Sequence, residues 1–261
     1  MDKKSYILEK LVEEYIKVPE PVSSKQLQKS LDLSLSSATI RYYFQKLSQN
    51  GAITQPHISS GRVPTVQTLK DFWKKRLEDT DMSSDENILK KLEHISQKEH
   101  IFCEVTEYKR LFLNGVHNYD NRFLICDFEN EDFILPYNKN LERFFSNQIG
   151  QEGLKLSQIC NDIGLINISK SLKRFLTRNF SHFMLKEVIE IANEDMEWAN
   201  RFLPSLLDGT FMYNTKKGLK FYNSILTFKF SVNQKNSCSE VLLVGRVYRN
   251  YLKLINQLKG E

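Results

Sequence analysis

The spacing of apolar residues predicts a helix at the start of the chain. Between residues 3 and 17 they recur every three or four positions, as one face of a helix requires: Ile7, Leu8, Leu11, Val12, Tyr15 and Ile16. Pro19 and Pro21 follow, and a proline interrupts the hydrogen-bond ladder of a helix. The first element therefore ends before Pro19.

Two further helices are predicted before residue 51. Ser23 or Ser24 precedes a short helical stretch over 25–31, since a serine hydroxyl caps a helix N-terminus well. A tight turn follows, and Ser36 or Ser37 caps a longer helix that ends at an Asn-Gly pair, a good C-terminal stop. A short helix, a short turn and a longer helix make the helix-turn-helix pattern.

The third helix has two different faces. Its apolar residues cluster on one side, where we expect them to pack on the first two helices: Ile40, Tyr43, Phe44 and Leu47. The opposite side carries a small residue, amides and cations, which suit base edges and phosphates: Ala38, Arg41, Tyr42, Gln45, Lys46 and Gln49. Ser36 and Ser37 lie at the helix N-terminus, where free N–H groups favour an anion. An ordinary solvated helix face explains this pattern equally well.

The segment after the third helix favours DNA binding. Residues 52–55 predict a short strand, and 56–65 form a polar turn between two prolines. After a helix-turn-helix, such a hairpin is typical of a wing. Ser59, Ser60 and Gly61 form a narrow tip that can approach a sugar-phosphate backbone. Arg62 can contact phosphate or enter the minor groove, and His57 can add a hydrogen bond or hold the loop.

The rest of the chain predicts a mixed α+β unit. Thr65 caps a fourth helix over 66–77, with Leu69, Phe72 and Trp73 on one face. Residues 79–95 are predicted as a linker or connecting helix, because their first part is rich in Asp, Glu and Ser. Strands are predicted over 101–105, 110–114, 122–128, 132–136, 224–232 and 240–245, and helices over 141–148, part of 154–163, 170–203 and 247–258.

Charge is unevenly distributed along the chain. Overall, 37 Lys and Arg and 32 Asp and Glu give a net charge of +5, but residues 33–70 contain no acidic residue. A surface without carboxylates suits a polyanion, because a carboxylate repels phosphate. Chance explains such a gap about as well, so the charge pattern only adds to what the helix and the hairpin indicate.

Other classes of protein lack their motifs here. The ten glycines include no Gly-x-Gly and no GxxxxGK, and no GxSxG is present, which disfavours an enzyme fused to the helix-turn-helix. The His and Cys residues show no HExxH or CxxC spacing, so we expect no metal, no disulfide framework and no cofactor. No long apolar run predicts a membrane span, and the N-terminus lacks a signal-peptide core. The expected location is the cytoplasm, with association to the nucleoid.

Two short sequence motifs within the first 80 residues are distinctive enough to be compared with known families. Residues 36–41 read SSATIR and residues 55–65 read QPHISSGRVPT. Together with their surroundings, residues 3–76, they resemble the HrcA heat-shock repressor family. The family usually continues Asn-Asp-Met after the first string, where this chain has Tyr42-Tyr43-Phe44, and Ile58 and Ser60 replace commoner residues of the wing. These departures bear on the operator sequence and not on the mode of binding.

The resemblance implies an architecture. It divides the chain into a winged-helix DNA-binding domain over 1–78, a linker or connecting helix over 79–95, and a GAF-like regulatory and dimerisation domain over 96–261. Many members of the family carry a further dimerisation insert. We expect that insert to be reduced or absent here, kept at most as helices around 170–203. The C-terminal string is similar to the family's Gly-x-x-Arg-Met-x-Tyr region, with Gly245, Arg249 and Tyr251 in altered spacing.

The resemblance also implies a function. A homodimer would bind an inverted-repeat operator upstream of chaperone genes, heat stress would release it, and the GroEL chaperonin would modulate its activity. A two-fold operator requires two reading heads related by a two-fold axis. The residues expected to contact DNA are Ser36, Ser37, Ala38, Arg41, Tyr42, Gln45, Lys46, His57, Ser59, Ser60, Gly61 and Arg62. The alternatives are a winged-helix repressor that responds to a small ligand in its C-terminal domain, and an architectural DNA-binding protein.

Overall fold

The computed structural model describes residues 2–77, 82–83, 88–207, 209–233 and 237–259. Most of the acidic stretch that was predicted as a linker lies outside these ranges. The helices, in chain order, are α1 (Lys3–Lys17), α2 (Ser24–Ser30), α3 (Ser37–Gln49), α4 (Val66–Arg76), α5 (Ile88–Glu99), α6 (Lys139–Ser146), α7 (Gly153–Asp162), α8 (Ile166–Leu176), α9 (Leu185–Glu194), α10 (Met196–Leu207), α11 (Phe211–Asn214) and α12 (Tyr251–Lys259). The strands are β1 (Ile53–Thr54), β2 (Val63–Pro64), β3 (Met82–Ser83), β4 (Phe102–Lys109), β5 (Gly115–Tyr119), β6 (Phe123–Phe128), β7 (Glu131–Pro136), β8 (Thr177–Phe183), β9 (Gly218–Tyr222), β10 (Ile225–Asn233) and β11 (Ser237–Arg246).

The first three helices and the β1–β2 hairpin enclose a small apolar core. Ser23 and Ser36 cap α2 and α3, since their hydroxyls accept hydrogen bonds from the main-chain N–H groups of Gln26 and Thr39. Thr65 caps α4 in the same way. The core residues come from α1, α2, α3, β1 and the segment before α2: Ile7, Leu11, Val22, Leu27, Ile40, Phe44, Leu47 and Ile53. The four helices predicted before residue 78 are confirmed.

A six-stranded sheet forms the centre of the rest of the chain. β10, β11, β4 and β8 lie side by side and pair antiparallel, while β9 and the short β3 both pair with the outer edge of β10. Because side chains alternate along a strand, the sheet buries two faces. One face packs on α5 and α12, and the other packs on α9, α10 and α11.

α4 connects the two units through a shared core. Val12 and Ile16 of α1, together with Phe72 and Trp73 of α4, lie in the same buried cluster as the α5–α12 face of the sheet. The first helices are therefore packed against the sheet rather than attached by a chain alone. Residues 88–95 of the predicted linker or connecting helix belong to α5.

A separate unit is inserted between β4 and β8, which are neighbours in the large sheet. It contains the three-stranded sheet β5-β6-β7 and the helices α6, α7 and α8. Its core is its own, built around Leu124, Phe128, Phe145, Leu156 and Leu172. The inserted unit is therefore not confined to helices around 170–203, and the expected reduction of the family's dimerisation insert stays a prediction.

The helical stretch predicted over 170–203 is correct only in part, because a strand interrupts it. The chain makes the end of α8, then strand β8, then α9 and α10. β8 has a polar sequence without a clear period, and its strand conformation comes from pairing with β4, for example Thr106 opposite Phe180. Long-range pairing of this kind is invisible in a local pattern.

The observed elements also differ from the predicted ones in smaller ways. The strand predicted over 110–114 is absent, because this segment bonds to the loop before α7, where the Leu113 N–H donates to the Gln151 carbonyl at 3.0 Å. The last helix begins at Tyr251 and not at 247. Strands β5 and β9 and the one-turn helix α11 were not predicted. Among the helices of the described ranges, none has the length and apolar character to cross a bilayer.

Candidate nucleic-acid interface

α3 exposes the polar face that its sequence predicts. Ile40, Phe44 and Leu47 are buried beneath it, as the apolar period requires. The opposite side is open to solvent and carries Ala38, Arg41, Tyr42, Gln45, Lys46 and Gln49. α3 can therefore approach a flat or grooved partner along its whole length.

Two of these side chains contact each other. The Lys46 ammonium lies 4.5 Å from the centroid of the Tyr42 ring, a cation–π geometry. A hydrogen bond with Tyr42 raises the pKa of the Lys46 amine above its usual range. Tyr42 is half exposed and keeps a polar hydroxyl at the surface.

The N-terminus of α3 is held by its cap. The Ser36 hydroxyl lies 3.1 Å from the Thr39 main-chain nitrogen and 2.9 Å from the Thr39 hydroxyl, so it is engaged within the helix. The first-turn N–H groups, which include those of Ser37 and Ala38, have no acceptor inside a helix. An anion could reach this end through main-chain donors, with Ser36 in a supporting role.

The hairpin is joined to the segment before α2. Val22 and Arg62 exchange two main-chain hydrogen bonds of 2.9 Å, which form an isolated antiparallel bridge. A Cβ at Gly61 would lie 2.5 Å from the carbonyl carbon and oxygen of Val22. Glycine is needed at 61 for this close contact with the protein's own backbone, whereas the sequence suggested a role at an exposed tip.

The tip of the hairpin is fixed by its own hydrogen bonds. The Ser60 hydroxyl donates to the His57 carbonyl at 2.7 Å, and the Gln55 amide donates to the carbonyls of Ile58 and Ser60 at 2.7 and 3.1 Å. Ile58 is fully exposed at the apex. The hydroxyl of Ser60 is therefore partly used within the loop, and His57 contributes its main chain to the turn.

A groove of about 680 Å³ separates α3 from the hairpin. It brings together six of the residues that the sequence predicted as DNA contacts: Arg41, Gln45, Ser59, Ser60, Gly61 and Arg62. The remaining six, Ser36, Ser37, Ala38, Tyr42, Lys46 and His57, do not line it. The groove also contains residues absent from that prediction: Ser23, Ser24, Phe44, Ser48, Gln49 and Gln55.

Several acidic residues of this unit have partners outside the groove. Arg76 of α4 binds the carboxylates of Glu9 and Glu13 on α1, and the Tyr6 hydroxyl donates to Asp32 at 3.2 Å. The groove itself is lined by two arginines and by no carboxylate. The stretch 33–70, which contains no acidic residue, thus supplies most of the residues that line the groove.

The large sheet contains a buried group of charges on the side covered by α11. Glu240 accepts hydrogen bonds from Lys173 and Tyr108, each at 2.8 Å, and lies 3.3 Å from Lys229. Burial alone would raise the pKa of Glu240, but Lys229 and Lys173 outweigh it and bring the pKa to about 2. Lys229 also donates a hydrogen bond to the Met212 carbonyl at 2.8 Å, so this buried lysine links α11 to the sheet.

Glu104 lies on the same side of the sheet. It is 2% exposed, and its Oε1 has no hydrogen-bond partner among the described residues. Burial raises the pKa of this carboxyl to about 7, despite a hydrogen bond from the Met212 main chain. The nearby Lys229 cation favours the ionised carboxylate and offsets part of this rise in the Glu104 pKa. Burial lowers the pKa of Lys229 itself.

The C-terminal string forms a second buried ion group. Glu187 of α9 is fully buried and binds Arg246 at 2.7 Å and Arg249 at 3.0 Å. The Tyr251 hydroxyl donates to the Arg246 carbonyl, and a Cβ at Gly245 would lie 2.8 Å from that hydroxyl oxygen. Gly245, Arg249 and Tyr251 therefore act together in packing α12 and α9 on the sheet.

Comparisons with known proteins find similar sequences over the whole chain. The model of the HrcA C-terminal domain matches residues 73–261. The heat-inducible transcription repressor HrcA of Helicobacter pylori is 28% identical over 264 residues, covering 100% of this chain and 96% of that protein. The protein of the same name from Mycoplasma mobile is 37% identical over 105 residues, which are 40% of this chain and 30% of that protein.

A solved structure is also similar over the full length. It is described as the crystal structure of a hypothetical protein, with a TM-score of 0.48 and 16% identity, covering 100% of this chain and 98% of that one. The HrcA C-terminal domain model matches well over half of the chain, and the relatives carry the name of a repressor rather than of an enzyme. The chain belongs to the HrcA family of heat-inducible transcription repressors.

Proposed function

We propose that the protein represses heat-shock chaperone genes by binding double-stranded DNA through a winged-helix domain over residues 1–78. One observation carries the proposal: the groove between α3 and the hairpin is lined by arginines, amides and hydroxyls and by no carboxylate. Such a lining attracts the phosphates of a duplex and offers donors and acceptors to base edges.

In this proposal α3 enters a major groove. Tyr42 and Gln45 lie near the bases, because they stand at the middle of its exposed face. Arg41 and Lys46 lie near phosphates, and the hairpin follows the flanking backbone with Ser59 and Arg62. Ser37 and Ala38 bring the start of the helix close to the DNA.

The operator would be an inverted repeat bound by a homodimer. Residues 79–95 then connect the DNA-binding domain to a GAF-like regulatory and dimerisation domain over 96–261. The mixed sheet with helices on both faces is compatible with that assignment. Two-fold symmetry places the two α3 helices on the two half-sites.

Heat release would follow from limited stability. The free energy of unfolding of a domain is small and falls steeply at high temperature, so a modest temperature rise depletes a marginally stable repressor. Modulation by the GroEL chaperonin fits the same scheme, because unfolded clients would compete for the chaperonin that the repressor needs.

The first test is DNA binding by the purified full chain. We expect salt-sensitive binding to a fragment with an inverted repeat from a chaperone promoter, and weaker binding to a scrambled fragment of equal length. Equal affinity for both fragments would favour an architectural protein, and the absence of salt-sensitive binding to either would reject the proposal.

The second test concerns heat and chaperonin. Operator binding is measured at growth and heat-shock temperature, with and without GroEL. We expect chaperonin to raise the active fraction at growth temperature, and heat to lower it. Equal binding in all four conditions would reject this part of the mechanism and leave the DNA-binding part standing.

A further inference from the structure

Ile58, at the apex of the β1–β2 hairpin, is the most exposed large apolar side chain among the described residues. It is 100% exposed, whereas Leu207 of α10, which comes next, is 79% exposed. Apolar side chains gain free energy when they leave water, and Ile58 gains none of it within this chain. Single exposed apolar residues are common on protein surfaces, so the position of Ile58 has to indicate its role.

The hairpin holds Ile58 on a hydrogen-bonded turn. The Ser60 N–H donates to the His57 carbonyl at 2.9 Å and closes a β-turn, in which Ile58 and Ser59 are the two central residues. The Gln55 amide donates to the Ile58 carbonyl at 2.7 Å. Such turn positions usually hold Gly, Pro, Asn, Asp or Ser, so the turn itself does not require an isoleucine.

The groove between α3 and the hairpin determines which part of a duplex the apex would meet. α3 and the hairpin are its two walls, and Arg41 and Arg62 line it. With α3 in a major groove, the sugar-phosphate strand that borders that groove lies between α3 and the hairpin. This strand separates the major groove of DNA from the minor groove, which is about 6 Å wide. The apex, on the far side of the strand, therefore lies over the minor groove.

The neighbours of Ile58 suit DNA better than an apolar protein surface. His57 and Ser59 on either side of it are exposed and polar, and residues 33–70 contain no carboxylate that would repel phosphates. Docking surfaces for proteins are typically contiguous apolar patches instead. One apolar side chain between polar neighbours matches a narrow groove with apolar base faces inside and charged strands at its edges.

We propose that Ile58 is an apolar wedge, which enters the minor groove and partly unstacks one base step in each half-site of the operator. Isoleucine and similar side chains that insert between bases in this groove kink the duplex toward the major groove. The contact differs from that of the hairpin with the backbone, because a backbone contact carries no sequence information. A wedge makes affinity depend on how easily the wedged step deforms. The inference rests on the proposed function.

The first experiment places 2-aminopurine at one position at a time in an inverted-repeat operator duplex, because the fluorescence of this base rises when it loses its stacking. With the full wild-type chain we expect a rise at one step in each half-site. Ile58→Leu keeps an apolar wedge and should retain the rise, whereas Ile58→Ser should lose it. Leu207→Ser removes the next most exposed apolar side chain, in the C-terminal unit, and is the matched control with the wild-type signal.

The second experiment measures affinity for operators that differ only at the wedged step. The wild-type chain should bind a duplex with a flexible TA or CA step there about tenfold more tightly than one with a stiff A-tract. Ile58→Ser should bind the two duplexes alike. The slope of its log affinity against log salt should equal the wild-type slope, because no charge is removed. A retained preference in Ile58→Ser, or a lower salt slope, would refute the wedge.

The outcomes distinguish the wedge from the proposed function. If the wild-type chain binds no operator duplex, both are overturned. If it binds but no base loses its stacking, or if Ile58→Ser gives the same fluorescence rise, only the wedge is overturned. Because the Ile58 side chain is fully exposed, Ile58→Ser should leave the free energy of unfolding unchanged, as urea unfolding can verify. The wild-type fluorescence requires no substitution at all.

Discussion

The indole N–H of Trp73 donates a hydrogen bond of 2.5 Å to the main-chain carbonyl of Val247, a residue 174 positions later in the chain. Trp73 is fully buried, and its ring lies edge-to-face on Tyr251 with centroids 5.2 Å apart. α4 starts directly after the hairpin, whereas Tyr251 begins α12 on the large sheet. Within the core that the two units share, Trp73 thereby provides both a hydrogen bond and a ring contact to the C-terminal unit.

We predict that Trp73→Phe lowers the free energy of unfolding and separates the two units. The variant keeps an aromatic ring but loses the hydrogen bond and part of the packing, which should cost about 1–3 kcal/mol. Urea unfolding, followed by helix content and by operator binding, should give two transitions in place of one.

Trp198→Phe is the matched control for this substitution. Trp198 is also buried, but its Nε1 has no partner among the described residues, so the change removes no hydrogen bond. The connecting role of Trp73 would be refuted if Trp73→Phe unfolded in one transition at the wild-type midpoint.

Gly61→Ala should disrupt the hairpin. The added Cβ meets the Val22 main chain at 2.5 Å, and a backbone contact cannot move aside as a flexible side chain can. We expect operator affinity to fall at least tenfold, with a loss of stability of about 1–3 kcal/mol.

Gly115→Ala provides a comparison for the glycine substitution. Its Cβ would lie 3.0 Å from the side-chain Nε2 of His117, an exposed residue that can turn away. Operator binding should stay at the wild-type level in that variant. Wild-type binding in Gly61→Ala as well would show that the close contact with Val22 is dispensable.

Glu104 should make the protein less stable as the pH rises. Burial brings its pKa to about 7 in the folded chain, above the usual 4.5, so the folded state retains a proton that the unfolded state has released. Stability should decline as the pH rises from about 4.5 to about 7 and level off above, by up to about 3 kcal/mol. Glu104→Gln should flatten this decline and raise stability at pH 8, as measured by urea unfolding at several pH values. A steeper decline in the variant would contradict this account.

Glu240 has the opposite pH dependence. Its pKa of about 2 lies below the usual 4.5, so its contribution is present above about pH 4.5 and is lost as the pH falls towards 2. Glu240→Gln should destabilise the fold at pH 7 by about 3–5 kcal/mol, since it leaves Lys229 buried without its counter-ion.

A second substitution tests the cause of that loss. Lys229→Met combined with Glu240→Gln removes both charges and should recover much of the stability, because an uncompensated buried ion is the costly state. If the double variant were as unstable as the sum of the single variants, the pair would not be coupled.

The helices of the first 77 residues could be predicted from the sequence because each has a strong local signal. A serine or threonine caps α2, α3 and α4, and the apolar period of α1 and α3 matches the buried face. The groove was predicted only in part. Ser48 follows Arg41 and Gln45 on one face of α3, so the helical period could have indicated it. Ser24 is brought to the groove by the bridge between Val22 and Arg62, which joins residues 40 positions apart and leaves no local pattern.

The C-terminal unit was harder to predict for a related reason. β8 becomes a strand only beside β4, and the intervening inserted unit separates these two strands in the sequence. The buried charges of Glu187 and Lys229 look like ordinary surface residues in a sequence. Their partners lie 59 positions away in the case of Glu187 and Arg246, so no spacing rule could find them.

Gln45 and Lys46 should affect DNA binding in different ways. Both are exposed on α3, but only Gln45 lines the groove, and Lys46 stacks on Tyr42. An amide in the major groove discriminates bases, whereas an ammonium binds phosphate whatever the sequence. Gln45→Ala should therefore change the ranking of operator variants by about 1–3 kcal/mol at unchanged salt dependence. Lys46→Ala should weaken binding to all duplexes and lower the slope of log affinity against log salt by about one. Titrations of both variants with a set of single-base operator changes, at several salt concentrations, measure the two quantities together. If the effects were exchanged between the variants, Lys46 would be the base-reading residue and α3 would lie in the groove with a different rotation about its axis.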